Sequence, residues 1–258
     1  VEDRYFTPEF MEINGCAAFL KAGCVFADRL NTVSPSYAGE ICTPFYGEGL
    51  EGILSARRHQ LSGILNGIDK KVFNPHSDPY IYKRYDKGHL RLVERVLDEM
   101  MGFDICFLLL GSGDKEYEAF MRGAEERHRG RICSYIGYNE ELSHRIYAGA
   151  DMLLMPSLFE PCGLSQMIAM RYGTLPIVRE TGGLRDSVVP YNQFTGEGTG
   201  FTFANYNAHE MKATIERALS VYRDEPETWN KLVRNAMAAD FGFERSAEGY
   251  ARLYIDLL

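Results

Sequence analysis

The chain has 258 residues, which is enough for one large domain or two small ones with a sizeable buried core. Apolar residues make up 45% and charged residues 25%, as in ordinary folded proteins, so a disordered chain or a fibre is excluded. The 28 basic and 36 acidic residues give a net charge of −8 without a dense basic run. Nucleic acid is therefore not an expected partner.

The first 60 residues read as the edge of a separate domain. Their pattern predicts an amphipathic helix over 17–28, a short strand over 30–33 and a glycine-rich loop over 47–52. An Asn-Gly turn at 66–67 and the proline-punctuated stretch 73–79 then favour a hinge between domains.

From about residue 103 onward, apolar runs of strand length alternate with amphipathic stretches, which is typical of a parallel sheet with crossover helices. The predicted strands are 105–110, 131–136, 151–155 and 174–178. At least three consecutive βαβ steps predict an α/β fold with a doubly wound parallel sheet, in which ligands bind at the carboxyl ends of the strands. The loops of interest are therefore 111–114, 137–140, 156–163 and 179–184.

The helix that starts near Gly88 has no strand before it, which is unusual for such a sheet. We expect either a spatial break between Tyr85 and Asp86 or a sheet with a vacant strand position.

The six cysteines show no Cys-x-x-Cys spacing and no suitably placed histidine, so neither a metal site nor a disulfide framework is indicated. Cys106 and Cys133 lie in apolar runs and are expected in the core, whereas Cys162 is expected to be the most readily alkylated thiol. Since no apolar run reaches membrane-spanning length and no secretory leader is visible, we expect a protein without membrane contact, in the cytoplasm or, if it comes from a plant, in the plastid stroma.

Two of the strand-end loops carry candidate chemistry. After the third strand, Glu160 places a carboxylate before a Gly-Leu-Ser helix start, whose free N–H groups can bind an anion. After the fourth, the paired glycines Gly182 and Gly183 allow a ligand to approach the backbone. From spacing alone, an ordinary helix cap and a plain turn remain alternatives.

Nine segments, taken together and in order, resemble the bacterial glycogen synthase and plant starch synthase family. They are 28–38, 46–52, 61–67, 136–140, 143–145, 159–164 (Phe-Glu-Pro-Cys-Gly-Leu), 172–176, 181–184 (Thr-Gly-Gly-Leu) and 236–241. The resemblance implies a GT-B architecture, in which a Rossmann-like doubly wound domain is joined to the rear part of a second Rossmann-like domain.

The resemblance also implies a division of the chain. Residues 1–60 would be the end of the N-terminal, acceptor-side domain, 61–85 the hinge, and 86–240 the nucleotide-sugar domain. Residues 241–258 would form a helix that packs back toward the N-terminal domain.

The implied activity is retaining transfer of glucose from ADP-glucose to the non-reducing end of an α-1,4-glucan, without a metal or other cofactor. Glu160 and Lys87 would be catalytic, contacting the donor glucose and the distal phosphate. The other implied substrate-binding residues are Tyr138, Cys162, Gly163, Leu164, Thr181, Gly182 and Gly183. Tyr138 would lie beside the adenine, with core packing as the alternative.

Two departures from the family pattern leave other functions open. The family's N-terminal Lys-x-Gly-Gly loop is not in the sequence, and between Tyr85 and Asp86 a short helix and a strand of the family pattern are absent. The alternatives are a nucleotide-sugar or glucan binding fragment without turnover, and a related enzyme that uses UDP-glucose.

Overall fold

The computed structural model describes residues 2–73 and 90–258. In the first range, a short hairpin precedes a small α/β unit. The hairpin turns at Asn14 and Gly15, whose φ values of 53° and 79° suit a tight hairpin turn. The elements are β1 (Glu12–Ile13), β2 (Cys16–Ala17), α1 (Phe19–Phe26), β3 (Leu30–Thr32), α2 (Pro35–Glu40), α3 (Glu51–Ala56) and β4 (Leu61–Gly63).

The predicted helix over 17–28 is shorter in the structure because Ala17 belongs to the hairpin. Strands β3 and β4 pair in parallel, with Leu30 opposite Leu61. The last strand of this unit therefore lies inside the range predicted as the start of the hinge.

The second range alternates strands and helices as the sequence predicts. Its elements are α4 (Leu90–Met100), β5 (Phe107–Gly111), α5 (Lys115–Arg127), β6 (Ile132–Ile136), α6 (Glu140–Gly149), β7 (Met152–Met155), α7 (Ser165–Tyr172), β8 (Leu175–Arg179), α8 (Gly182–Ser187), β9 (Phe201–Phe203), α9 (Ala208–Asp224), α10 (Pro226–Ala238) and α11 (Phe243–Ile255). All the strand pairs in this range are parallel. The α/β class is confirmed, and β9 is a further strand that the sequence pattern did not predict.

The parallel strands form two sheets instead of one. Strand β5 pairs with β6, and β7 pairs with β8, which pairs with β9. Among the described residues no strand joins β5 to β7, although both strands line the same cavity. This pairing is the one expected for a vacant strand position, which stays a prediction because residues 74–89 lie outside the described ranges. The alternative, a break between Tyr85 and Asp86, concerns residues outside the described ranges.

The core is centred on β8. Leu175, Ile177 and Val178 are each at most 2% exposed, and α7, α9 and α10 pack around the three-stranded sheet. A parallel strand with a partner on each side and helices on both faces is expected to be apolar, as the first four residues of β8 are.

The β5–β6 pair is more open, and it corrects one prediction. Cys106, just before β5, and Cys133, on β6, are exposed, as are Leu108 and Tyr135. The prediction that both cysteines are core residues is wrong, because the runs that hold them lie in a two-stranded sheet with one face and one edge uncovered.

The C-terminal helix α11 contacts the first part of the chain. Ser246 donates a hydrogen bond from its hydroxyl to the carbonyl of Leu65 at 2.7 Å, and the Asn31 amide lies 3.2 Å from the Tyr250 hydroxyl. Within the two described ranges, no helix is both long and apolar enough to cross a bilayer.

Candidate active site

The loop after β7 carries the predicted carboxylate and is braced from β8. Arg179, the last residue of β8, donates from Nη1 to the carbonyls of Ser157 and Leu158 at 3.3 and 2.9 Å. Ser157 is fully buried, whereas Glu160, three residues on, is half-buried. The loop therefore has a fixed base and a more accessible carboxylate-bearing end.

Gly182 and Gly183 allow the loop after β8 to pack against the loop after β7. The Gly183 N–H donates to the carbonyl of Glu160 at 3.0 Å. A Cβ at Gly182 would lie 2.1 Å from that same oxygen, and one at Gly183 would lie 2.0 Å from the carbonyl oxygen of Cys162. The close backbone approach predicted for a ligand is thus made by another segment of the protein.

A carboxylate from α2 occupies the start of α8. Glu40 accepts hydrogen bonds from the Thr181 hydroxyl at 3.2 Å and from the Gly182 N–H at 2.9 Å. One turn away, Asp186 accepts from the Ser36 N–H at 2.8 Å and from the Ser36 hydroxyl at 2.6 Å. The N-terminal part of the chain is therefore attached to α8 through two carboxylates. Glu40 of α2 accepts from the start of α8, and Asp186 of α8 accepts from α2.

These bonds bear on the predicted role of the Thr-Gly-Gly loop. The N–H groups of Thr181, Gly182 and Gly183 donate to Arg179, Glu40 and Glu160, respectively. A contact of this loop with substrate stays a prediction, and in this arrangement it would have to use atoms other than these three N–H groups.

The N–H groups at the start of α7 differ in their hydrogen bonding from those at the start of α8. Its N-cap residue, Leu164, provides no side-chain hydrogen bond, and Gly163 before it has a φ of 67°. Among the described residues, no acceptor is found for the N–H groups of Gly163, Leu164 and Ser165. A buried helix start with unsatisfied N–H groups is an anion-binding arrangement.

Gln166 adds a second unsatisfied group at the same place. It is fully buried, and its Nε2 donates to the carbonyls of Cys162 and Gly163 and to the Ser187 hydroxyl, at 2.8 to 3.1 Å. Its Oε1 has no hydrogen-bond partner within the described part of the chain. A buried amide oxygen without a donor is costly, so a ligand hydroxyl or N–H beside it would be stabilised.

Tyr138 follows β6 at the same, carboxyl side of its sheet. The preceding Gly137 has a φ of 148°, and the tyrosine is 51% exposed. The alternative that Tyr138 is a core residue is therefore excluded.

An aromatic cluster joins the N-terminal part to the Glu160 loop. Phe45 stacks on Phe159 with ring centroids 5.5 Å apart, and Tyr46 meets Phe159 edge to face at 5.1 Å. Tyr37, nearby in sequence, has its pKa raised by burial and by the carboxylates of Glu40 and Glu48.

The structure brings most of the predicted site residues together. Those in two adjoining loops at the carboxyl ends of β7 and β8 are Glu160, Cys162, Gly163, Leu164, Thr181, Gly182 and Gly183. Tyr138 is at the carboxyl end of β6, in the other sheet. Lys87 lies outside the described residues. Cys162 is buried while Cys106 and Cys133 are exposed. This difference in exposure opposes the expectation that Cys162 is the most readily alkylated thiol, which rests on its position beside the start of a helix.

Sequence reasoning missed Glu40, Gln166 and Arg179. Gln166 could have been suspected from its place in the first turn of a helix that starts with glycine. Nothing local identifies Glu40, because its partner Thr181 is 141 residues away in the sequence.

Comparisons with known protein families agree with this geometry. Residues 1–56 match the profile of the starch synthase catalytic domain, and residues 83–237 match the profile of glycosyl transferases group 1. The glycogen synthase of Geobacillus thermodenitrificans is 45% identical over 296 aligned positions, which cover 100% of this chain and 61% of that protein. The glycogen synthase of Desulforudis audaxviator is 44% identical over 290, covering 98% and 58%.

Solved structures give the same assignment. The catalytic domain of starch synthase IV from Arabidopsis thaliana, bound to ADP and acarbose, has a TM-score of 0.80 at 29% identity and covers 98% of this chain and 61% of its own. Sucrose-phosphate synthase from Thermosynechococcus elongatus, at 21% identity and a TM-score of 0.64, shares the fold; the match covers 98% of this chain and 65% of that one.

The parallel sheets, with their facing loops at the carboxyl ends, define a glycosyltransferase fold of the GT-B type. The chain spans about three fifths of the length of the curated relatives it matches. It belongs to the glycosyl transferases group 1 family, with a first segment of the starch synthase type.

Proposed function

We propose that this chain takes part in glucosyl transfer from ADP-glucose to the 4-hydroxyl at the non-reducing end of an α-1,4-glucan, with retention at the anomeric carbon. The observation that carries the proposal is the start of α7, next to the Glu160 loop, where N–H groups and the Oε1 of Gln166 have no hydrogen-bond partner among the described residues. The similarity to glycogen synthases and to a starch synthase solved with ADP and acarbose supports it.

The proposed roles follow from the chemistry of each group. The N–H groups of Gly163, Leu164 and Ser165 bind the pyrophosphate, and the positive end of α7 stabilises the charge that grows on departing ADP. Glu160 accepts hydrogen bonds from the hydroxyls of the glucose of ADP-glucose. Gln166 Oε1 accepts a hydrogen bond from a hydroxyl of the same ADP-glucose molecule. The exposed face of Tyr138 contacts the adenine. In the reaction, the bond from the anomeric carbon to the phosphate oxygen breaks, and a bond to the acceptor oxygen forms.

Lys87 remains the predicted contact of the distal phosphate. No metal is proposed, since cationic side chains and the helix start supply the positive charge. We further propose a cytoplasmic location, in keeping with six cysteines in free thiol form.

Titration calorimetry with ADP, ADP-glucose and UDP-glucose tests the donor site. We expect the chain to bind ADP-glucose more tightly than ADP and to discriminate against UDP-glucose. In Glu160→Gln, we expect ADP affinity to be unchanged and the extra affinity for ADP-glucose to fall by about tenfold. Glu227→Gln, which changes an exposed carboxylate on α10, is the matched control. Equal affinity for ADP-glucose and ADP in the native chain would overturn the assignment of Glu160.

The second candidate is nucleotide-sugar binding without turnover, which the gap between β5 and β7 in the described part of the chain favours. Incorporation of labelled glucose from ADP-glucose into glycogen separates the two functions. Incorporation that Glu160→Ala abolishes supports the transferase, whereas ADP-glucose binding without any incorporation supports the binding function.

A further inference from the structure

The Glu160 loop is held by hydrogen bonds from outside it. Arg179 donates from Nη1 to the carbonyls of Ser157 and Leu158 at 3.3 and 2.9 Å, which fixes the beginning of the loop. The Gly183 N–H donates to the carbonyl of Glu160 itself at 3.0 Å. The position of the Glu160 backbone therefore depends on the position of Gly183.

The turn at Gly182 and Gly183 has little intrinsic stiffness. Glycine is the residue with the greatest backbone freedom, so two in succession can adopt many conformations. In the structure Gly182 has a φ of 42°, and a Cβ added to it would lie 2.1 Å from the Glu160 carbonyl oxygen. An approach this close at a flexible turn needs neighbouring groups that hold it in place.

Glu40, the last residue of α2, holds this turn from the N-terminal part of the chain. Its carboxylate accepts hydrogen bonds from the Gly182 N–H at 2.9 Å and from the hydroxyl of Thr181 at 3.2 Å. Thr181 is fully buried. Hydrogen bonds to an ionised group are stronger than those between neutral groups, so this carboxylate is well suited to restrict the turn.

A second contact of the N-terminal part reaches the same loop. The ring of Phe45 stacks on that of Phe159 with centroids 5.5 Å apart, and Phe159 is the residue before Glu160. Glu40 and Phe45 therefore act on both sides of one residue, through the turn that bonds its carbonyl and through the side chain that precedes it. The surroundings of Glu160 are completed by the N-terminal part of the chain.

We propose that Glu40 is a positioning residue for glucosyl transfer. It restricts the turn at Gly182 and Gly183, and through the hydrogen bond from Gly183 it orients Glu160 toward the hydroxyls of the glucose of ADP-glucose. Glu40 itself does not contact ADP-glucose. This inference rests on the proposed function, because the role of Glu160 is taken from there.

This role determines which part of ADP-glucose is affected. The hydrogen bonds of Glu40 go to the start of α8, whereas the pyrophosphate is proposed to bind at the start of α7. Loss of Glu40 should therefore weaken the binding of the glucose and leave the binding of ADP unchanged. A residue needed only for the fold would reduce both affinities together.

Titration calorimetry of the full chain with ADP and with ADP-glucose measures this difference. In Glu40→Ala, we expect the extra affinity for ADP-glucose over ADP to fall by about fivefold, which corresponds to one average hydrogen bond. Glu40→Gln keeps an acceptor oxygen and should restore part of it.

Asp186→Ala is the matched control. Asp186 accepts two hydrogen bonds from Ser36 in the same contact between α2 and α8, and neither of them reaches the Glu160 loop. The substitution should change the extra affinity for ADP-glucose by less than about twofold.

A double-mutant cycle shows whether Glu40 acts through Glu160. When one residue works only through another, its substitution adds nothing once the other side chain has been removed. In a chain that already carries Glu160→Ala, Glu40→Ala should therefore cause no further loss of affinity for ADP-glucose.

Hydrogen exchange followed by NMR tests the turn without any ligand. The Gly183 amide should exchange about tenfold faster in Glu40→Ala than in the native chain, because the turn that places it loses its restraint. In Asp186→Ala, this amide should exchange at the native rate.

Four results would overturn the inference and leave the assignment of Glu160 intact. They are a parallel fall in ADP affinity in Glu40→Ala, equal losses in Glu40→Ala and Asp186→Ala, a loss that persists in the Glu160→Ala chain, and native exchange at Gly183 in Glu40→Ala. Failure of the proposed function gives a different result, because the native chain would then bind ADP-glucose no more tightly than ADP. The positioning role would fail with it.

Discussion

Strands β5 and β8 are both mainly apolar but have very different surroundings. The apolar runs 105–110 and 174–178 were both predicted as strands of one parallel sheet, and they correspond to β5 and β8. In the structure, β8 lies between two strands and its first four residues are buried, whereas β5 has one partner and Leu108 is 52% exposed. An apolar run therefore shows that a strand is suited to burial, and its neighbours decide whether burial is achieved.

The largest expected effect comes from truncating one residue in each strand. Ile177→Ala should lower the free energy of unfolding by about 2–5 kcal/mol, because it opens a cavity in a closed core. Leu108→Ala should change it by less than about 0.5 kcal/mol, because the side chain is already half in water. Urea unfolding of both variants measures the difference. Equal losses would show that β5 is as well packed as β8.

The loops that follow these two strands should differ in the same way: a Gly→Ala substitution should cost more stability after β8 than after β5. Gly183→Ala should cost about 1–3 kcal/mol, since its Cβ would lie 2.0 Å from the Cys162 carbonyl oxygen and the backbone would have to move. Gly113→Ala, in the loop after β5, is the control because no atom lies within 4 Å of its added Cβ. Thermal unfolding distinguishes them. If Gly183→Ala were as stable as Gly113→Ala, the close packing of the Glu160 loop would be refuted.

A smaller effect is expected where the N-terminal part meets α8. Glu40→Gln should destabilise the protein by about 1 kcal/mol, because hydrogen bonds from Thr181 and Gly182 to a carboxylate become bonds to a neutral amide. Glu9→Gln, at an exposed position, should have no measurable effect in the same denaturant titration. A loss equal to that of the control would mean that the attachment adds nothing to stability.

The smallest expected effect is a pH-dependent contribution of Glu210 to the stability of the well-packed side of the fold. Burial raises the pKa of Glu210, but hydrogen bonds from Asn205 and Ala204 outweigh it, so the pKa lies below its ordinary value of 4.5. A lowered pKa stabilises the fold above the ordinary value, and the contribution is lost as pH falls through the lowered one.

Glu210→Gln should therefore be less stable than the native chain near neutral pH, and the gap should close on acidification. Unfolding midpoints of both proteins measured across this range provide the check. A gap that is constant with pH would show that the carboxylate charge is not responsible.

Much of this architecture follows from local sequence patterns. The βαβ order, the strands near 107, 132, 152 and 175, and the position of Glu160 beyond β7 were predictable because apolar runs and glycine-rich turns are local signals. The predicted vacancy followed from a helix without a preceding strand.

Other features depend on contacts between distant segments. The exposure of Cys106 and Cys133 depends on which strands flank β5 and β6, and the Glu40 contact depends on how α2 docks on α8. Strand β9 was missed because Phe201–Phe203 is only three residues long and gains its burial from β8.

The contacts around Gly182 have a mechanical consequence. Glu40 holds the Gly182 N–H, and the adjacent Gly183 N–H holds the backbone of Glu160. A displacement of α2 therefore pulls on the Glu160 backbone through two hydrogen bonds and one peptide link. We expect such a displacement to change the position of the Glu160 carboxylate as well.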